Sequence, residues 1–220
     1  MYAIELISPV IPVLHPLDTG AKALQLLNEY HISHLPIVVE GEYLGLIREE
    51  EILDWDNPDL LLETLSYHHF RPAVREHAHF YEALKLASDF KLSVVPVLTD
   101  ENKFGGVIPQ QHLLFAIASM NGVKETGVLI LLEMEPKDYS LAEIGRIAES
   151  NEITILSVNT FNHPATGKLN VLIKTNRQDM RALTSTFERF SYTITCVFGE
   201  EQEETALKKN YDLLMNYISM

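Results

Sequence analysis

Residues 32–47, Ile32-Ser33-His34-Leu35-Pro36-Ile37-Val38-Val39-Glu40-Gly41-Glu42-Tyr43-Leu44-Gly45-Leu46-Ile47, contain two short apolar runs around a polar turn. Pro36 to Val39 reads as a buried strand, Glu40-Gly41-Glu42 as the turn, and Tyr43 to Ile47 as the return strand. The same text comes back sixty residues later: Leu35-Pro36 falls on Val95-Pro96 and Gly45 on Gly105. One extra residue brings Gly45-Leu46-Ile47 onto Gly106-Val107-Ile108. Agreement at so many apolar, Pro and Gly positions marks an internal repeat.

The match extends outward in both directions. Pro12-Val13-Leu14 falls on Pro72-Ala73-Val74, Ala23-Leu24 on Ala83-Leu84, Tyr30 on Phe90 and Ile32 on Leu92. Ala23, Leu24, Leu27 and Tyr30 form a helical stripe, copied over Ala83 to Lys91. Each unit therefore reads as strand, helix, strand, turn, strand, helix, with closing helices expected at 49–55 and from His112 to Met120. Between the units, Leu60-Leu61-Leu62 and Leu65 suggest a short helix in a connector over 56–70.

After Asn121-Gly122 the pattern changes. Val128 to Met134, Ile153 to Phe161, Leu169 to Thr175 and Thr193 to Phe198 read as strands. One helix opens at Ser140-x-x-Glu143, a capping-box signature, with Leu141, Ile144, Ile147 and Ala148 on one face. A second carries Met180, Leu183, Phe187 and Phe190. The order βαββαβ implies a four-stranded sheet with both helices on one face. Residues 200–220 read as a tail helix striped by Leu207, Tyr211, Leu214 and Ile218, packing on its own chain or on a second subunit.

Composition narrows the function classes. The chain has 220 residues, and 31 acidic against 17 basic side chains give a net charge of −14. That balance argues against nucleic-acid binding, which needs clustered Lys and Arg, and against an anionic membrane surface. No apolar run approaches the roughly 20 residues of a membrane-spanning helix. The N-terminus lacks the basic region of a signal peptide. The lone Cys196 cannot form an internal disulfide, and a cytoplasmic location is expected. Its place in an alternating strand predicts a buried thiol.

The tandem units, over about residues 1–120, resemble a pair of cystathionine-β-synthase (CBS) domains, and residues 127–198 are similar to an ACT domain through Ala148-Glu149-Ser150-Asn151-Glu152-Ile153. The two followed by a third are similar in architecture to bacterial acetoin-utilisation regulatory proteins. The resemblance implies an α/β to α+β chain: CBS unit 1 over 1–58, CBS unit 2 with its linker over 59–121, a ferredoxin-like ACT-type domain over 127–199, and the C-terminal helix over 200–220. It implies regulation rather than catalysis. The ligand expected between the units is an adenosine nucleotide (AMP, ADP or ATP) or S-adenosylmethionine, acting as a regulator and not as a cofactor. It also implies a homodimer, with a regulated protein partner as a further possibility, and amino-acid binding in the ACT-like half.

By that resemblance, His34, Leu35 and Pro36 wall the base end of the first cleft, with Val95 and Pro96 as their copies. The family's Thr or Ser, two residues and then Asp is replaced here by Arg48-Glu49-Glu50-Glu51. A longer carboxylate at Glu51 can still accept from ribose, and Arg48 can meet a phosphate. The second copy, Pro109-Gln110-Gln111-His112, has neither hydroxyl nor carboxylate. Nine acids against Arg48 between Glu40 and Glu63 should repel a triphosphate. Arg48 and Glu51 facing an open cleft would favour sensing. The same residues paired with each other, or with their neighbours, would favour a structural or interaction dimer with empty clefts. In the ACT-like half, Tyr139 stands where glycine would let a ligand approach backbone.

Other constellations point to no chemistry. His68-His69 and His77-x-His79 read as surface or linker histidines, since zinc needs three or four ligands and Cys is nearly absent. Asp54-x-Asp56-x-x-Asp59 lacks the Gly and Glu of a calcium loop. Phosphate-cradling and nucleophile-elbow motifs are absent.

Overall fold

In the computed structural model, residues 1–65 and 67–199 are described, so the expected tail helix over 200–220 lies outside the described residues. The chain divides into two compact units, Met1–Ala116 and Ile117–Met220.

In the first unit the two repeats appear as successive copies. Helix α1 (Gly20–Glu29) begins at Thr19, whose side chain accepts from the Lys22 N–H, and buries Gly20, Ala23 and Leu27. Strands β1 (His34–Val39) and β2 (Glu42–Arg48) form an antiparallel hairpin. Helix α2 (Glu49–Leu53) follows. It is shorter than the expected span: four acids, Glu49 to Glu51 and Asp54, suit its positive N-terminal end but not its C-terminal one. In the second copy, β3 (Val74–Arg75) runs parallel to β4 (Val94–Leu98), which pairs antiparallel with β5 (Phe104–Pro109). Helix α3 (Phe80–Phe90) precedes β4, and α4 (Gln110–Met120) begins two residues before the expected start. Both α1 and α3 are followed by a left-handed residue at the same repeat position, His31 (φ 52°) and Lys91 (φ 53°). The first strand survives in copy one only as a bridge from Leu14 to Ile37. Pro16 stands where Glu76 of the second copy donates its N–H to the Leu98 carbonyl (2.9 Å), so this ladder donor is missing from the first copy.

Each copy is completed by a segment from outside it. The connector packs on the first copy: Leu62 and Tyr67 join its core beside Leu27, Ile37 and Ile47, and Leu46 N–H donates to the Phe70 carbonyl (3.0 Å). The N-terminal segment packs on the second: Ala3 N–H donates to Ala78 O (2.9 Å) and Ser8 N–H to Val107 O (2.9 Å). These crossings fall at equivalent glycines. A Cβ on Gly45 would overlap the Tyr67 carbonyl, and one on Gly106 would lie 2.5 Å from Ile7 Cγ2. The recurring glycine thus marks where a second segment crosses the return strand.

The second unit holds an all-antiparallel sheet of β6 (Leu129–Met134), β7 (Ile155–Asn162), β8 (Leu169–Thr175) and β9 (Thr193–Phe198), in the order β7-β8-β6-β9. Helices α5 (Leu141–Ser150) and α6 (Arg181–Arg189) bury Ile144, Ile147, Leu183 and Phe187 with Ile130, Leu132, Val171 and Ile173 of the sheet. Only half of the expected capping box forms. Ser140 Oγ accepts from Glu143 N–H (3.2 Å), but the Glu143 carboxylate accepts instead from the Tyr192 hydroxyl (2.7 Å). Leu141 and Phe190, expected on the buried stripes, are exposed.

Cys196 is exposed, contrary to the expected buried thiol. A bulge in β9 causes this: Ile194 pairs with the core-facing Leu132, but Cys196 pairs with Leu131, whose side chain lies on the other face. The extra residue, Thr195, breaks the alternation that the reading relied on.

Candidate functional site

The two repeats meet around Ser33 and Ser93, one repeat length apart. Ser93 N–H donates to His34 Nδ1 (3.2 Å), so this nitrogen is the acceptor and the ring proton sits on Nε2. Ser93 Oγ lies 3.1 Å from the same nitrogen and accepts from Ser33 N–H (3.0 Å). His34 is 6% exposed. Burial, then the neighbouring Arg48 charge, push its imidazole below the ordinary value, while Glu50 and Glu51 pull it up. The unfolded chain therefore takes up this proton at higher pH than the folded one. The stabilisation is complete above about pH 6.5 and is lost as pH falls below it. Lowering pH from about 7.5 to about 5.5 is expected to reduce the melting temperature more in the native chain than in His34→Gln, which keeps an acceptor for Ser93. Equal pH slopes in thermal melts would remove this role.

A cleft opens on each side of the serine pair. The first, of about 360 Å³, is lined by Ser33, His34, Arg48, Glu49 and Glu50 of the first repeat and by Phe90 and Lys91 of the second. The other, of about 220 Å³, has the reverse parentage: Tyr30 and His31 face Pro109, Gln110, Gln111 and His112. Tyr30-His31 and Phe90-Lys91 are repeat equivalents, so the clefts are related copies.

Arg48 lines the first cleft, yet its guanidinium is engaged. It reaches Glu50 Oε1 (3.0 Å) and Glu51 Oε1 (3.2 Å), and lies over the Phe70 ring (5.4 Å). Its Nε is buried with no hydrogen-bond partner. Glu51 is doubly held, since its other oxygen accepts from the Arg48 backbone N–H (2.9 Å). That bond fixes the first turn of α2. Arg48 thus lines the cleft and is paired at the same time, while Glu51 lies outside the cleft lining. The local electrostatics differ from the acid-rich stretch in the sequence: Lys91, from the other repeat, joins Arg48, so two cations face Glu49 and Glu50 in the cleft.

In the second cleft, His112 Nδ1–H donates to the Leu6 carbonyl (2.8 Å), so this histidine ties down the N-terminal segment. Pro109 ends β5 and is buried. Among the candidate residues, His34 and Arg48 line the first cleft, and Pro109 and His112 the second. Leu35, Pro36, Val95 and Pro96 are buried within β1 and β4, and neither they nor Glu51 line either cleft. The sequence reading missed Lys91 and the serine pair. Ser33 and Ser93 coincide at the repeat offset, which was the available signal.

The second unit has a cavity of about 400 Å³ at the start of α5, lined by Glu133, Glu135, Asp138 and Glu143 with Lys168 and Tyr192. Lys168 is spent on Glu133 (2.8 Å). Burial and the bond to Glu143 push the Tyr192 hydroxyl up to about 12. Tyr139 packs against the core and does not line this cavity.

Among the described residues, no helix is long and apolar enough to cross a membrane. Solved structures similar to the chain include a CBS domain pair/ACT domain protein from Thermotoga maritima (20% identity, TM-score 0.48, covering 54% of this chain and 98% of that one). CBSX2 in complex with AMP is another (16%, 0.45, covering 54% and 96%). A further one is the cytosolic domain of the Mg²⁺ channel MgtE in complex with ATP (19%, 0.44, covering 52% and 48%). The family model that matches the sequence is the CBS domain, over residues 3–57.

Proposed function

We propose that this chain is a non-catalytic regulatory protein in which the CBS-type repeats, 1–58 and 59–121, form a pair that senses a small ligand in the first cleft. One observation carries the reading: Ser33, His34 and Arg48 of one repeat meet Phe90 and Lys91 of the other around a single cavity. A ligand there would touch both repeats and favour one arrangement over another, which requires different affinities for the two. The mixed charge and the Phe90 ring suit an adenosine-type ligand, with Lys91 meeting phosphate. Residues 127–199, with strand order β7-β8-β6-β9, fit a ferredoxin-like ACT-type domain. Its four-carboxylate cavity disfavours the α-carboxylate of an amino acid, so it is read as an assembly or response domain. Exposed Leu114 and Phe115 on α4, and the edge strands β7 and β9, support a homodimer.

A second reading, an interaction dimer with empty clefts and a protein partner, is favoured by the pairing of Arg48 with Glu50 and Glu51. Thermal unfolding with AMP, ADP, ATP and S-adenosylmethionine separates the two. A ligand at 100-fold over its dissociation constant should add about 2.7 kcal/mol, several degrees in melting temperature. A shift that Lys91→Ala abolishes is the expected result. No shift with any of the four ligands, in a protein that is dimeric by light scattering, would establish the second reading.

A further inference from the structure

Away from both clefts, the end of β3 places three ligand-bearing side chains together. The parallel pairing of Arg75 with Leu98 sets Glu76 and His77 beside the Thr99–Asp100 turn. The His77 nitrogen and the Glu76 and Asp100 carboxylate oxygens all lie within 4.8 Å of one another, with Glu76 half-buried and the other two exposed. We infer that Glu76, His77 and Asp100 form a surface site for one divalent transition ion of the zinc class.

Two observations carry this beyond a cluster of acids. First, His77 Nε2 stands 3.6 Å from Asp100 Oδ2. That is longer than a hydrogen bond, and close to the roughly 3.4 Å between neighbouring ligands of a tetrahedral ion with bonds of about 2.1 Å. Second, the ligands are oriented by bonds that leave donor atoms available. Asp100 N–H donates to Glu76 Oε1 (3.0 Å), which orients that carboxylate and leaves it further lone pairs for an ion. The Tyr2 ring meets the imidazole edge-on at 6.1 Å. Arg75, the nearest cation in sequence, donates to the Thr99 carbonyl (2.9 Å). Two carboxylates balance the ion's charge, and the imidazole selects zinc-like ions over magnesium and calcium. Three protein ligands leave a fourth position for water or for a group on another molecule. The site belongs to the second repeat alone, because the first has Pro16, Leu17 and Glu40 at the equivalent places.

The test is a Zn²⁺ titration of the full chain, followed by NMR of the side chains of its nine histidines. One equivalent should move the His77 ring signals, and Mg²⁺ at the same concentration should not. His77→Ala and Asp100→Asn should each weaken Zn²⁺ binding in equilibrium dialysis by at least tenfold. Both positions are exposed, and circular dichroism checks that the variants stay folded. Zinc that moves other histidines and leaves His77 unchanged, or dialysis binding unaffected by His77→Ala, would overturn the site. So would equal responses to Mg²⁺ and Zn²⁺.

Discussion

Gly45→Ala is expected to destabilise the first unit by about 3 kcal/mol, the upper end of overpacking costs. The added Cβ would fall on the Tyr67 carbonyl oxygen and 3.0 Å from its carbon. Backbone cannot swing away as a side-chain tip can, so either β2 or the connector must move. Moving the connector breaks the bond from Leu46 N–H to Phe70 O and draws Tyr67 out of the core. Trp55, the only tryptophan, packs against that same core and reports on it by fluorescence. The urea midpoint followed at Trp55 should fall with its slope unchanged. Gly105→Ala is the control: a Cβ there meets nothing nearer than Val97 O at 3.4 Å, and the midpoint should hardly move. Equal losses in the two variants would show that the effect comes from glycine's backbone freedom and not from the crossing.

Phe187→Ala is expected to cost the second unit about 3–5 kcal/mol, the range for emptying a large aromatic from a core. Phe187 is fully buried on the inner face of α6 and meets the Tyr192 ring edge-on at 5.6 Å. Removing it leaves a void between both helices and the sheet, and it loosens the residue whose hydroxyl holds Glu143. Phe190→Ala, three residues on but half-exposed, should change stability by about 0.5 kcal/mol or less. Urea unfolding followed by circular dichroism distinguishes the two. Similar losses in both variants would mean that the core is not closed at Phe187 as described.

Much of the fold was legible because the sequence states it twice. Apolar spacing marked the helices, and Pro and Gly marked strand ends. Failures came where a neighbour in space overrode a local pattern. A bulge turned Cys196 outward against strict alternation. Glu143 had the spacing for a capping box but found a phenol instead. The site was less legible. Residues 48–51 drew attention to the β2–α2 junction, but nothing in their order shows Arg48 folding onto Glu50 and Glu51, or Lys91 arriving from about forty residues away to offset the acids. The grouping of Glu76, His77 and Asp100 depends on strand pairing, and a search for local histidine spacing passes over it.

The exchange of segments between the repeats also constrains how the chain is made. Leu6 and His112 are 106 positions apart, and their bond pins the N-terminus to the second repeat. During vectorial synthesis residues 1–8 emerge long before their partners exist. At about 5–20 residues per second, they wait roughly 5–20 s on the ribosome. The first repeat waits less, because the connector that completes it follows it directly. Maturation of this half of the protein therefore has an order: the earlier repeat closes on its connector, and residues 1–8 dock last.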